Sequence, residues 1–260
     1  MAAGLIALIA GADGSVAARL AVGMLALQFA IGTANDVADA PRDRLSRTHK
    51  PMVAGLVELR QAGAVFLVAA GIGLVAAASV GAAPLAVGIV GLTDGLVYDL
   101  RLKGTALSWL PFVVGVALLP VYAWIGATGG LPAAFWGIVA MALLAGAVLA
   151  VANAIADIEH DRQAGAASVA TILGRDRAIA VDAAGLVLLQ MTVLASSVAI
   201  GLVGAALAVE LAGIALGWLG LRLSAAPNEQ IARLGWEVQA VAMVAMGAAW
   251  LAALGSAGRL

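Results

Sequence analysis

Residues 16–34 read VAARLAVGMLALQFAIGTA, and residues 35–43 continue as NDVADAPRD. The first stretch is apolar apart from Arg19, Gln28 and Thr33, and about 20 such residues cross a bilayer as a helix. The second stretch puts three carboxylates, Asp36, Asp39 and Asp43, at the point where that helix would leave the lipid. A membrane span ending in an acidic cluster is therefore the unit from which the rest of the chain is read.

The same apolar signal recurs along the chain. Ala62–Gly81, Ala83–Tyr98, Ala106–Gly126 and Leu131–Ala156 each suffice for one span. Ala178–Leu223 is too long for one and divides near Gly201–Gly204, and Ile231–Leu254 completes a set of eight. Met1–Gly11 is apolar but about half the required length, and it lacks the basic start of a secretory signal. It reads as the second half, or remnant, of a ninth helix. Nothing alternates as a bilayer strand would. The expected fold is an all-α membrane protein of about nine transmembrane helices, with residues 1–260 as a single multi-spanning domain.

Composition agrees. Of the 260 residues, 63% are apolar and 11% are charged, with a mean hydropathy of +1.06. Soluble domains run nearer half and a quarter, so a soluble enzyme is excluded, as is a disordered chain. The formal net charge of −1 excludes the strongly basic surface of a nucleic-acid binder. The absence of cysteine excludes disulfides and thiolate metal sites. The 32 glycines, with abundant alanine, suit close helix packing in lipid.

The polar loops are unequal. Arg42, Arg44, Arg47, Lys50, Arg60, Arg101, Lys103, Arg162, Arg175, Arg177, Arg222 and Arg233, 12 of the 14 basic residues, fall in one alternate set of loops. Only Arg19 and Arg259 fall at the other face. The positive-inside rule places the rich set in the cytoplasm of a multi-pass protein of the cell membrane. It does not explain why most of the acids share those loops.

The acids form two clusters. In a continuing helix, Asp36, Asp39 and Asp43 share one face at i, i+3 and i+7. Pro41 lacks an N–H and favours a break, so Asp43 keeps that face only if the helix survives it. The second cluster is Asn153-Ala154-Ile155-Ala156-Asp157-Ile158-Glu159-His160-Asp161. Here Asn153, Asp157 and Asp161 share a face at i, i+4 and i+8, and Glu159 points elsewhere. Carboxylates crowded on one face repel unless a cation sits among them. Mg²⁺ suits hard oxygen ligands and is commonly shared with substrate phosphates, whose remaining oxygens Arg and Lys take. The calcium-loop alternative lacks the glycine and terminal glutamate spacing.

These residues resemble the motifs of the UbiA superfamily of intramembrane prenyltransferases. Asn35–Asp43 matches NDxxDxxxD. Arg47-Thr48-His49-Lys50-Pro51, followed by Gly55, resembles the family's R-x-x-R/K-P…G stretch. Tyr98-Asp99-Leu100-Arg101-Leu102-Lys103 is similar to its Y-x-x-x-x-K loop, and Asp157–Arg162, with Gly165, Leu173 and Gly174, to its second D-x-x-x-D motif. The resemblance runs through about residues 16–255. It implies a ring of nine helices around a central cavity and a Mg²⁺-dependent transfer of an isoprenyl group from a prenyl diphosphate, through an allylic carbocation, to an aromatic or lipid-like acceptor whose identity stays open.

The resemblance also implies roles. Asn35, Asp36, Asp39, Asp43, Asn153, Asp157 and Asp161 would hold the metal. Asn35, Arg47, Lys50, Arg101, Lys103 and Arg162 would bind the diphosphate. Asp36, Asp39, Asp157, Asp161, Lys103 and Tyr98 would form the catalytic set, with Tyr98 facing the cation or lying at the lipid interface. The partners are the prenyl diphosphate, the acceptor and the bilayer, with no nucleic acid. A terpene cyclase of the same superfamily is the alternative. A cation transporter is remote, because transporter sites lie near the midplane.

Some features depart from that pattern. Nothing basic precedes Arg19, so either the start lies upstream or the site has one cation fewer. His49 beside Lys50 has no assigned role. Asp94 and Asp99 stand where relatives carry small or hydroxyl residues, and intramembrane acids are functional by default; Asp94 would orient an acceptor hydroxyl or pair with Lys103 or Arg101. Asp182 and Glu237 are expected to snorkel to the interface, and Glu210 has no role. Trp124 and Trp136 are expected in an aromatic belt.

Overall fold

The computed structural model describes residues 2–44, 50–133 and 135–256. Arg47, His49 and Arg259 lie outside them. The described residues are all helical in their regular structure, with no strand. The helices are α1 (Ala2–Ile9), α2 (Gly14–Asp43), α3 (Leu59–Ala78), α4 (Ala82–Val97), α5 (Leu110–Thr128), α6 (Phe135–Ala156), α7 (Ile158–Gln163), α8 (Val169–Leu173), α9 (Arg175–Ile200), α10 (Gly204–Ser224) and α11 (Glu229–Ser256). A π turn, Tyr98–Leu102, extends α4. Eight of these helices are long and apolar enough to cross a membrane, with α4 counted through its π turn. The expected eight spans are all present. At 8 residues, α1 is too short to be a ninth.

The long run after Ala178 divides as its glycines suggest. Gly201 (φ 74°) and Gly204 (φ 64°) hold left-handed backbone between α9 and α10, a conformation glycine adopts without a Cβ penalty.

The chain forms two compact units. The first comprises Met1–Lys103 and Val121–Gly130; the second comprises Gly104–Pro120 and Leu131–Leu260. In the first unit, α3 and α4 press onto α2 through glycines. A Cβ on Gly73 would lie 2.7 Å from Leu27 Cγ, and one on Gly95 would lie 2.7 Å from Ile31 Cδ1. Gly95 thus brings the end of α4 against α2 one turn before Asn35.

In the second unit, α10 and α11 approach as closely: a Cβ on Gly220 would lie 2.6 Å from Gln239 Cγ. Beside that crossing, Gln239 Nε2 donates to Asp182 Oδ2 at 3.0 Å and to Ser224 Oγ at 3.3 Å, and all three residues are fully buried. Asp182 therefore does not snorkel. A hydrogen-bonding partner inside the helix bundle meets its Oδ2 where lipid would not. Glu210 is likewise buried and accepts a hydrogen bond from Ser197 Oγ at 2.5 Å.

Two further expectations change. Pro41 does not end α2, which runs to Asp43. One missing N–H near a helix end frees a single carbonyl, and the ion pairs of Asp36 and Asp43 with Lys50 described below brace the last turn. Trp124 is only 4% exposed and belongs to the core, whereas Trp136 is 63% exposed.

Candidate active site

In the first unit, α2 presents its polar end. Because the helix survives Pro41, Asp36, Asp39 and Asp43 keep their i, i+3, i+7 relation. Two lysines meet them. Lys103 Nζ donates to Asn35 Oδ1 at 2.5 Å and to Asp39 Oδ2 at 2.6 Å. Lys50 Nζ lies 3.1 Å from Asp36 Oδ1 and 2.8 Å from Asp43 Oδ2. Asp39 and Asp43 are buried, whereas Asp36 is exposed.

Local structure explains how each lysine arrives. The π turn inserts one residue at the end of α4, and Lys103 N–H donates to Tyr98 O at 2.8 Å across it. Such insertions re-aim side chains and are frequent at functional sites. Tyr98 follows the same turn, with its ring centroid 5.6 Å from Lys103 Nζ, a cation–π distance. Lys50 precedes a tight turn over Pro51–Leu56 that leads to α3, where Glu58 N–H donates to Gln61 Oε1 at 2.8 Å. Burial would weaken the Lys50 charge, but hydrogen bonds to Asp43 and Asp36 outweigh it and hold the ammonium above its ordinary pKa. A cavity of about 220 Å³ opens here, with Asp36, Asp43 and Lys50 at its charged end and Met52, Val53 and Val65 among its apolar walls.

In the second unit, Asp157 interrupts the helix for one residue between α6 and α7. The backbone continues around it, for Asp157 N–H donates to Asn153 O at 3.1 Å and Asp161 N–H to Asp157 O at 2.9 Å. Asn153, Asp157 and Asp161 are half-buried on a stretch whose neighbours Ala154, Ile155, Ala156 and Ile158 are buried. Arg233 Nη2 donates to Asp157 Oδ1 at 2.8 Å. Glu159 faces elsewhere, as its spacing implies, and pairs with Arg162 at 2.9 Å.

Each unit thus sets motif carboxylates against cations. The first gathers Asn35, Asp36, Asp39, Asp43, Lys50, Lys103 and Tyr98. Arg101 is exposed, and Asp94 pairs with neither Lys103 nor Arg101 among the described residues. Sequence reading treated Arg233 only as a topology charge. Arg233 lies one turn after Glu229 near the start of α11 and also approaches it at 3.6 Å, so no sequence signal pointed to Asp157.

The donor set fits Mg²⁺. All the oxygens are hard, and Asn35 Oδ1, Asp36 Oδ1 and Asp39 Oδ2 are already aimed at positive charge. Among the described residues, no three acidic or histidine groups converge into a closed metal cage. Mg²⁺ does not require one, since it keeps waters and binds through one or two carboxylates plus phosphates.

The model of the UbiA prenyltransferase family matches residues 1–238. Among solved structures, a UbiA homologue from Aeropyrum pernix K1 in its apo form superposes with a TM-score of 0.74 at 24% identity, over 95% of this chain and 94% of that one. A UbiA homologue from Archaeoglobus fulgidus bound to GPP and Mg²⁺ gives 0.68 at 20%, over 96% and 94%. A digeranylgeranylglyceryl phosphate synthase gives 0.66 at 14%, over 96% and 90%. These likenesses show the fold. No curated protein sequence matches the chain.

Proposed function

The chain belongs to the UbiA prenyltransferase family, and on that premise we propose that it moves an isoprenyl group from a prenyl diphosphate to an aromatic or lipid-like acceptor, with Mg²⁺, through an allylic carbocation. The observation that carries this reading is Lys103, whose ammonium is lodged between Asn35 and Asp39 at 2.5 and 2.6 Å. Hard oxygens and a cation lie side by side there, and a metal-bound diphosphate needs both within reach. The GPP and Mg²⁺ in the Archaeoglobus homologue support the choice of donor and metal.

The residues then divide the work. Asn35, Asp36 and Asp39, with Asn153, Asp157 and Asp161, are the metal-holding set. Bound Mg²⁺ supplies Lewis-acid stabilisation of the departing diphosphate. Lys103, Lys50, Arg47, Arg101 and Arg162 neutralise the charge that grows on the leaving oxygens as the allylic C–O bond breaks. The Tyr98 ring faces the allylic cation, and apolar walls keep water from it. Asp43 acts through Lys50. The basic loops support a cytoplasmic side for this chemistry.

Offering purified protein a panel of prenyl diphosphates and acceptors, with products read by mass spectrometry, tests the reaction. Prenylated acceptor is the expected product. A hydrocarbon formed without acceptor would identify a cyclase instead.

Lys103→Ala is expected to weaken prenyl-diphosphate binding without unfolding the protein. A charge-assisted contact is worth about 1.5–3 kcal/mol, so KM for the diphosphate should rise roughly ten- to a hundredfold. An unchanged KM would leave Lys103 a topology residue.

A further inference from the structure

Asp99 has no part in the roles above. It lies on the π turn, is 7% exposed, and among the described residues neither carboxylate oxygen has a hydrogen-bond partner. Leaving a buried charged group unsatisfied is costly. The charges acting on it are Lys103, of opposite sign, and Asp39 and Asp36, of like sign. Lys103 is its natural counter-ion, yet that ammonium is spent on Asn35 and Asp39. Those are oxygens the proposed function gives to Mg²⁺. An ammonium and a divalent cation repel each other and compete for the same lone pairs, so Lys103 has to move before the metal can enter. It follows directly on the π turn that carries Asp99.

We propose that Asp99 is a positioning residue that provides a second seat for Lys103. With metal absent, the ammonium closes the Asn35–Asp39 pair. When metal and diphosphate take that pair, the ammonium swings to Asp99, which holds it aimed at a diphosphate oxygen. The inference rests on the proposed function, because the competing metal is the one assigned there. It separates the two tasks of Lys103: opposing bare metal and favouring metal with diphosphate.

The test is Mn²⁺ titration of the full chain in lipid nanodiscs without prenyl substrate, with free Mn²⁺ read by electron paramagnetic resonance. Mn²⁺ shares the preference of Mg²⁺ for hard oxygen ligands. Asp99→Asn should weaken Mn²⁺ binding roughly tenfold, within the range for contacting charged groups, because Lys103 loses its alternative seat. Lys103→Met should tighten binding above that of the parent protein, and the double variant should match Lys103→Met. Asp99→Glu, which keeps the charge, should restore parental affinity. Unchanged affinity in Asp99→Asn would overturn the inference. So would an equal loss when Asp99→Asn is made in the Lys103→Met background, which would make Asp99 a direct ligand. An Asp99→Glu protein as weak as Asp99→Asn would assign the effect to packing and overturn it too. Failure of the parent protein to bind Mn²⁺ would instead overturn the metal assignment of the proposed function, and this inference with it.

Discussion

The Asp157→Asn protein is expected to insert and fold as the parent does and to lose turnover. Asparagine keeps the size of the side chain and one oxygen but removes the charge. What holds Asp157 in place is backbone on one side and Arg233 Nη2 at 2.8 Å on the other. That ion pair is partly exposed, at 25% for Asp157 and 46% for Arg233, and such pairs contribute about 1 kcal/mol or less to stability. Folding should therefore survive. Catalysis has more to lose, because the charge on the departing diphosphate is greatest in the transition state. Metal ions at such a site supply several kcal/mol of stabilisation, and a loss of about 4 kcal/mol is roughly a thousandfold in kcat. The loss should lie in kcat and resist excess Mg²⁺. Melting curves and turnover at saturating Mg²⁺ read both halves of the expectation. Near-normal turnover would remove Asp157 from the metal set.

Asp39→Asn should be as severe, for a different local reason. Asp39 is 7% exposed and its Oδ2 holds Lys103 at 2.6 Å. Neutralising it removes a metal-holding oxygen's charge and loosens the lysine at once, so kcat should fall by roughly a thousandfold while KM for the diphosphate also rises. Asp43→Asn is the contrast on the same helix face. Asp43 is 1% exposed and meets Lys50 at 2.8 Å. Acting through that lysine, it should affect KM more than kcat. Steady-state kinetics of the two variants separate the cases. Equal losses of kcat would make Asp43 a ligand in its own right.

Much of this was legible in the sequence because it is local. A run such as Val16–Ala34 carries its own length signal, and Gly201 and Gly204 mark the one division an uninterrupted apolar stretch conceals. The i, i+4, i+8 relation of Asn153, Asp157 and Asp161 also survives, despite the one-residue interruption at Asp157. What failed depends on partners distant in the chain. Pro41 argued for a helix end, but the turn beyond it is tied by Lys50 to Asp36 and Asp43. Asp182 looked close enough to an interface to snorkel, and Gln239, 57 residues away, donates to its Oδ2 inside the bundle instead. Arg233 reaches Asp157 from 76 residues away. Nor does a sequence pattern show that Asp99 is buried with neither oxygen hydrogen-bonded among the described residues, since that depends on the π turn and on Lys103 choosing α2.

The most direct test of the central claim is release of inorganic diphosphate as Mg²⁺ is varied. Purified protein in nanodiscs is given a prenyl diphosphate and an acceptor, first with Mg²⁺, then with EDTA, then with Mg²⁺ restored. The account predicts diphosphate and prenylated acceptor in equal amounts, both abolished by the chelator and both recovered with the metal. Release that persists undiminished in EDTA, or none at any Mg²⁺ concentration with any prenyl donor, would contradict it.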